Sequence, residues 1–253
     1  KSENYIENTE LNRLNIMLPG SENYSVSEVY GDISRIVERG DTLKIIQAHK
    51  EISVYIGKNY ANDGAGGDII LNTDNTFGSD SEYVEYIGCK RPRAVGTMGR
   101  NVYFYDEMTS DWCRSAVNGT ISLTKQYGYD KYFSRKSKEF REYTGSKNVL
   151  FGCEPDLQTV YLTFVIGSSA ETIAFSENPS NQGFLFIAEF SNGPLIPEYH
   201  AWYGEYLYSF VNGRLFIHGN GEPNSFFGSA RKMAVLETVT NQYPQIRKTF
   251  EFM

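Results

Sequence analysis

Short runs of alternating apolar and polar residues, each broken by turn-forming residues, recur along this chain and predict strands rather than helices. Leu43–Gln47, a turn over residues 48–51 and Ile52–Ile56 read as a hairpin. Val102–Asp106 opens a second strand cluster that closes at Thr120–Leu123. Val160–Val165 is predicted to pair with Thr172–Phe175, and Phe184–Ile187 follows. Tyr206–Phe210 and Leu215–Ile217 flank Asn212-Gly213, a dipeptide suited to the two positive φ angles of a type I′ hairpin turn.

A longer period overlies these hairpins. Val117–Leu123 and Val211–Ile217 share the pattern V-N-G-x-[IL]-x-[IL], and hairpin starts at Leu43, Tyr103, Tyr161 and Tyr206 are spaced by 60, 58 and 45 residues. Repeats of about 40–50 residues with several strands each are characteristic of propeller blades. The expected fold is therefore all-β, mainly antiparallel, with β-propeller-like blades of short hairpins. One amphipathic helix is inserted near 130–143. There Phe133, Phe140 and Tyr143 share a face, Asp130 is placed to cap the start and Gly145 to stop the end. The expected organisation is one propeller-like region over 1–253, its sub-regions 1–125 and 146–253 separated by that helix. The polar start at Lys1, without an initiator Met, suggests a piece of a longer chain. Residues 62–68, rich in glycine, read as a flexible loop.

Composition narrows the function. The chain has 253 residues, 24 Lys+Arg against 31 Asp+Glu and a formal charge of -7, so a strongly basic nucleic-acid binder is excluded on the global balance. Lys90–Arg93, Arg135–Lys138 and Arg231-Lys232 are too brief to offset that acidity. Apolar runs are far too short for a membrane-crossing helix, and no membrane partner is expected. Cys89, Cys113 and Cys153 form no CxxC pair and read as free thiols, consistent with folding inside a cell. The sequons at Asn23 and Asn118 follow no signal peptide and read as chance. His49, His200 and His218 lack metal-ligand spacing, and Gly64–Gly67 lacks the Gly-Lys-Ser/Thr ending of a phosphate loop. No metal or cofactor is expected.

Two groups of residues hold candidate chemistry. Asp106, Glu107, Asp111 and Glu205 are the carboxylates that a glycosidase would draw on, although 31 acids make chance neighbours inevitable and no catalytic residue is assigned. Trp112, Trp202, Tyr203 and Tyr206, together with Tyr208, are candidates for stacking on a sugar ring or for burial in an interface. The competing reading is that such rings occupy half-buried strand positions.

Taken in order, several segments resemble the tail structural proteins, the muzzle or stem components, of crAss-like podovirus bacteriophages. They are Glu7–Asn12, Val29–Ile33, Gly40–Gln47, Ser53–Gly57, Phe77–Ser79, Asn101–Asp106, Tyr132-Phe133 leading into Lys136–Lys138, and Leu150–Asp156 with Val160–Phe164. The series continues through Ile173–Glu177, Pro197–Tyr199, Phe210–His218 and Asn224–Gly228. Gly183-Phe184 stands where such proteins often carry a Trp, and those proteins are usually much longer.

The resemblance implies a non-enzymatic virion component, assembled in the host cytoplasm and ringed around the tail axis. Its partners would be other copies of itself and neighbouring tail proteins, with DNA passing nearby and no catalytic residues to carry over. The acidic balance would then keep the conduit from adhering to ejected DNA. The alternatives are a carbohydrate-binding or receptor-binding propeller using Trp112, Trp202, Tyr203 and Tyr206, and a glycosidase using Asp106, Asp111 or Glu205.

Overall fold

The computed structural model describes residues 24–62, 68–82, 86–221 and 225–228. Segment 63–67 of the predicted glycine loop, Asn23, Asn224, residues 7–12 of the resemblance and Arg231-Lys232 lie outside the described residues.

The fold is mainly antiparallel β, and the described residues form four consecutive sheets. The first sheet contains β1 (Ile33–Arg39), β2 (Thr42–Gln47), β3 (Glu51–Asn62) and β4 (Asp68–Glu82). The second contains β5 (Val95–Met98), β6 (Asn101–Asp106), β7 (Asp111–Ala116) and β8 (Gly119–Ser122). Two helices follow, the single turn α1 (Leu123–Gln126) and α2 (Asp130–Glu142). The third sheet contains β9 (Lys147–Glu154), β10 (Thr159–Ile166), β11 (Ser169–Ser176) and β12 (Gly183–Glu189). The fourth has three strands among the described residues, β13 (Tyr199–Tyr203), β14 (Tyr206–Val211) and β15 (Arg214–Ile217).

Each sheet is a simple meander in sequence order. The first strands of successive sheets pack side by side: β1 on β5, β5 on β9 and β9 on β13. Meander sheets that fan out from adjacent first strands are propeller-like blades. The four hairpin starts predicted from sequence fall on β2, β6, β10 and β14, the second strand of every sheet. Those strands are hydrogen-bonded on both edges, and the apolar content that exposed their period reflects this. The uneven spacing also has a cause. The long β3–β4 hairpin stretches the first interval, and α1 and α2 stretch the second.

The close approach of β5 and β9 depends on Gly96, where a Cβ would stand 1.9 Å from the Phe151 ring. Tyr103 stacks on that same ring with centroids 5.8 Å apart. Next to this contact lies the main core. Trp112 packs among Phe133, Phe175 and Phe184, and Tyr105 meets Phe164 edge-on at 4.9 Å. Helix α2 wedges into this core through Phe133 and Phe140. Lys136 reaches Glu171 of β11 at 3.2 Å and pins the helix to the third sheet.

Strand β10 is buried along its whole length because it is covered on both faces. Val160, Leu162, Phe164 and Ile166 face the main core, whereas Tyr161 and Thr163 meet the fourth sheet through Leu207 and His200.

Local details depart from the sequence expectations in four places. Asp130 begins α2 but is not its cap; Tyr129 holds that position without a side-chain bond. At the other end Tyr143, not Gly145, terminates the helix, and Lys147 Nζ donates to the carbonyls of Phe140, Arg141 and Tyr143. A cation there satisfies orphan carbonyls and complements the helix dipole. Asn62 and Asp68, predicted as loop ends, are paired residues of a β3–β4 hairpin longer than the alternation indicated.

The two V-N-G segments also differ. Asn212 and Gly213, at φ 48° and 69°, are the two turn residues that join Val211 to Arg214, as expected of a type I′ turn. In the first copy Ala116 pairs with Gly119, so Val117 and Asn118 form the turn, one residue earlier. A one-residue slip reverses side-chain facing. Val211 is fully buried and Val117 is 73% exposed.

Candidate functional site

The fourth sheet covers its neighbour with one face, and no element among the described residues covers the other. The covered face carries His200, Leu207, Ser209 and Val211, all buried. Strand alternation puts Tyr199, Ala201 and Tyr203 of β13, Tyr206, Tyr208 and Phe210 of β14, and Leu215 and Ile217 of β15 on the outer face. Tyr203 is 80% exposed, Leu215 56%, and Tyr199, Tyr206 and Phe210 about 40% each. Tyr203 lies directly across from Tyr206, and Tyr199 across from Phe210 with ring centroids 6.2 Å apart.

Of the aromatics singled out from sequence, Tyr203 and Tyr206 thus share this face. Trp202 is exposed beside them but points the other way, opposite Leu207. Trp112 is a correction to the stacking-platform expectation: it is completely buried in the main core and has no surface to offer a ligand.

The carboxylates take structural positions. Asp106 and Asp111 face each other across the turn end of the β6–β7 hairpin. Asp106 is buried and accepts the backbone N–H groups of Gly88 (3.1 Å), Met108 (2.8 Å) and Thr109 (3.3 Å). Burial raises its pKa above the usual carboxylate value, and those three donors oppose the shift. Asp111 accepts from Ser122 at 2.6 Å and pairs with Lys125 at 2.9 Å. Glu107 pairs with Arg91 at 3.0 Å. Glu205 is exposed on the β13–β14 turn of a different sheet, so these carboxylates do not converge on one site.

The thiols remain protonated. Burial pushes Cys89 up to about 12, Cys153 up to about 11 and Cys113 well above its ordinary value. Among the described residues no three His, Cys, Asp or Glu side chains gather as metal ligands.

Two groupings were invisible in the sequence. In the first, His200 and His218 are joined through Ser209. His200 Nδ1 lies 2.7 Å from Ser209 Oγ, which lies 2.6 Å from His218 Nε2, and His200 Nε2 is 3.0 Å from Thr163 Oγ1. Burial lowers His200 to about 3 and His218 to about 4, so both rings are neutral near pH 7. The β13–β14 register sets His200 opposite Ser209, which is what brings them together.

The second grouping is a cavity of about 150 Å³ where the four first strands meet. Arg35 of β1, Thr97 of β5, Cys153 of β9, and Tyr199 and His200 of β13 line it, together with Arg93 from the turn before β5. Nothing in the local sequence around these residues marks them as neighbours.

No protein-family model matches this chain, and no curated protein matches it. Among solved structures it is similar to a 6-phosphogluconolactonase candidate from Bacteroides uniformis ATCC 8492. The identity is 11% over 74% of this chain and 70% of that one, with a TM-score of 0.33. A likeness this slight carries no argument about the chemistry of the present chain.

Proposed function

We propose that this chain is a non-enzymatic structural component of a phage tail, of the muzzle or stem kind, that acts by associating with further copies of itself. The tail assignment rests on the ordered sequence segments. The observation supporting association is the bare aromatic face of β13–β15. A side chain such as Tyr or Phe presents roughly 200 Å² when fully accessible, so the exposed fractions give this face roughly 500 Å² of largely apolar surface. The largest patch on a typical monomer is about 300–600 Å², and each partner of a standard interface buries about 800 Å². The face is therefore at the upper limit for an isolated molecule and supplies more than half of an ordinary interface. Tyr suits that role, since it buries large area at low rotamer cost and keeps a hydroxyl for a polar partner.

Sedimentation velocity tests the reading. The chain should associate reversibly with rising concentration, and Phe210→Glu or Leu215→Glu, which place a charge on the bare face, should return it to monomer. A wild-type chain still monomeric at about 100 μM, far above the Kd of most specific interfaces, refutes it.

A second reading draws on the β13–β14 turn, where Tyr203 and Tyr206 lie directly across from each other on the outer face, 80% and 42% exposed, with Trp202 exposed on the opposite face. Rings so placed could stack on a glycan. Glycan-array binding abolished by Tyr203→Ala, in a chain that stays monomeric, would favour this reading over assembly.

A further inference from the structure

The cavity at the meeting point of the first strands carries an unbalanced charge. Arg35 Nη1 donates to the carbonyls of Pro92 and Val95, both at 3.0 Å, and Arg93 Nη1 donates to the carbonyl of Glu198 at 2.8 Å. These acceptors are neutral, so they orient the guanidinium groups without cancelling their charge. Each bond uses one terminal nitrogen, leaving the remaining N–H donors of both forks unspent. Arg35 grips backbone carbonyls on either side of Arg93 in the sequence, and both arginines line the same cavity.

Arg39, Arg141 and Lys147 likewise donate to backbone carbonyls, but other cations in this acidic chain are neutralised directly. Lys44, Lys58, Arg91, Arg114 and Lys136 each hold a carboxylate. Around this cavity no Asp or Glu lines the wall among the described residues. The remaining polar neighbours add no negative charge. Cys153 stays a thiol and points to the Thr97 carbonyl, and both ring nitrogens of His200 are occupied by Thr163 and Ser209. The volume equals that of about five water molecules, enough for a tetrahedral or planar oxyanion with part of an organic group attached.

We propose that this cavity binds a small oxyanion, phosphate or carboxylate, clamped between the guanidinium groups of Arg35 and Arg93. Guanidinium forks match both anions bidentately, and a partly enclosed site strengthens the pairing relative to open solvent. The site is separate from the association proposed above, apart from Tyr199, which borders both.

Calorimetric titration with inorganic phosphate and, separately, malonate at matched ionic strength tests the proposal. Saturable one-site binding of either anion is expected, and the preferred one identifies the ligand source. Arg93 is exposed, so Arg93→Gln should fold normally, and it should weaken binding at least tenfold. Arg35→Lys keeps the charge but loses the fork, and should weaken binding by a smaller factor. Arg100→Gln, at an exposed position outside the cavity, should leave affinity unchanged. Failure of both anions to bind more tightly than chloride overturns the proposal, as does wild-type affinity in Arg93→Gln.

Discussion

Lowering the pH from about 7.5 to 5 should cost this protein about 4 kcal/mol of stability through two histidines alone. His200 and His218 sit at an ordinary 6.5 in the unfolded chain but fall to about 3 and about 4 in the folded one. The cause is the same for both: an imidazolium here would lose its hydration, and for His200 it would also face His218. A lowered folded value means the unfolded state takes up the protons first. Stability is thus complete above 6.5, declines as the pH falls through it, and levels off only below the folded values.

At pH 5 each unfolded imidazole has gained about 2 kcal/mol by protonation that its folded counterpart has not. Two such terms are a large share of the roughly 5–15 kcal/mol that holds a domain together. Urea unfolding at the two pH values measures the loss directly, with an unchanged m-value as the check on two-state behaviour. His218→Gln should halve the pH-dependent part, to about 2 kcal/mol. His49 is present in both proteins and cancels in the difference. A wild-type loss below about 1 kcal/mol, or an undiminished loss in His218→Gln, would refute the account of a neutral buried His-Ser-His chain.

Three further outcomes follow from the packing. Glu51 is buried between the first two sheets, where it accepts from Lys44 at 2.5 Å, from Thr120 at 2.6 Å and from Ser115. Glu51→Ala strands a buried cation and should cost about 3–5 kcal/mol in chemical denaturation, while the double change with Lys44→Met should recover much of that. Trp112→Ala should cost about 3–5 kcal/mol by opening the main core, and should leave any glycan binding by the folded fraction untouched. Gly213→Val puts a β-branched residue at φ 69° and should lower stability by about 1–2 kcal/mol, seen as a drop in thermal midpoint.

The strands and their period were legible in the sequence because pairing and alternation are local. Leu43, Tyr103, Tyr161 and Tyr206 mark the second strand of each sheet without any knowledge of how the sheets meet. What alternation does not encode is which face of a sheet finds a neighbour. Trp112 and Tyr203 look equivalent in sequence, yet one lies under α2 and β11 while the other lies on a face that nothing described covers. The V-N-G segments carry the same lesson at the level of register. Identical residues turn at different points, Ala116 pairing with Gly119 in one copy and Val211 with Arg214 in the other. The cavity and the histidine chain depend on contacts between sheets, and the residues involved are separated by tens of positions.

The meander order of every sheet bears on how the molecule is made. Among the described residues each sheet is drawn from one contiguous stretch, so this strand pairing requires only hairpin-length closures. Long sequence separations enter only when finished sheets dock, as when Glu51 meets Ser115 and Thr120 across 64 and 69 residues. Low contact order within sheets favours rapid local folding, and docking in chain order suits emergence from a ribosome. The sheet with the exposed aromatic face follows the other three described sheets along the chain. A nascent chain of this design makes that sticky surface only after the three sheets before it have partners to pack against.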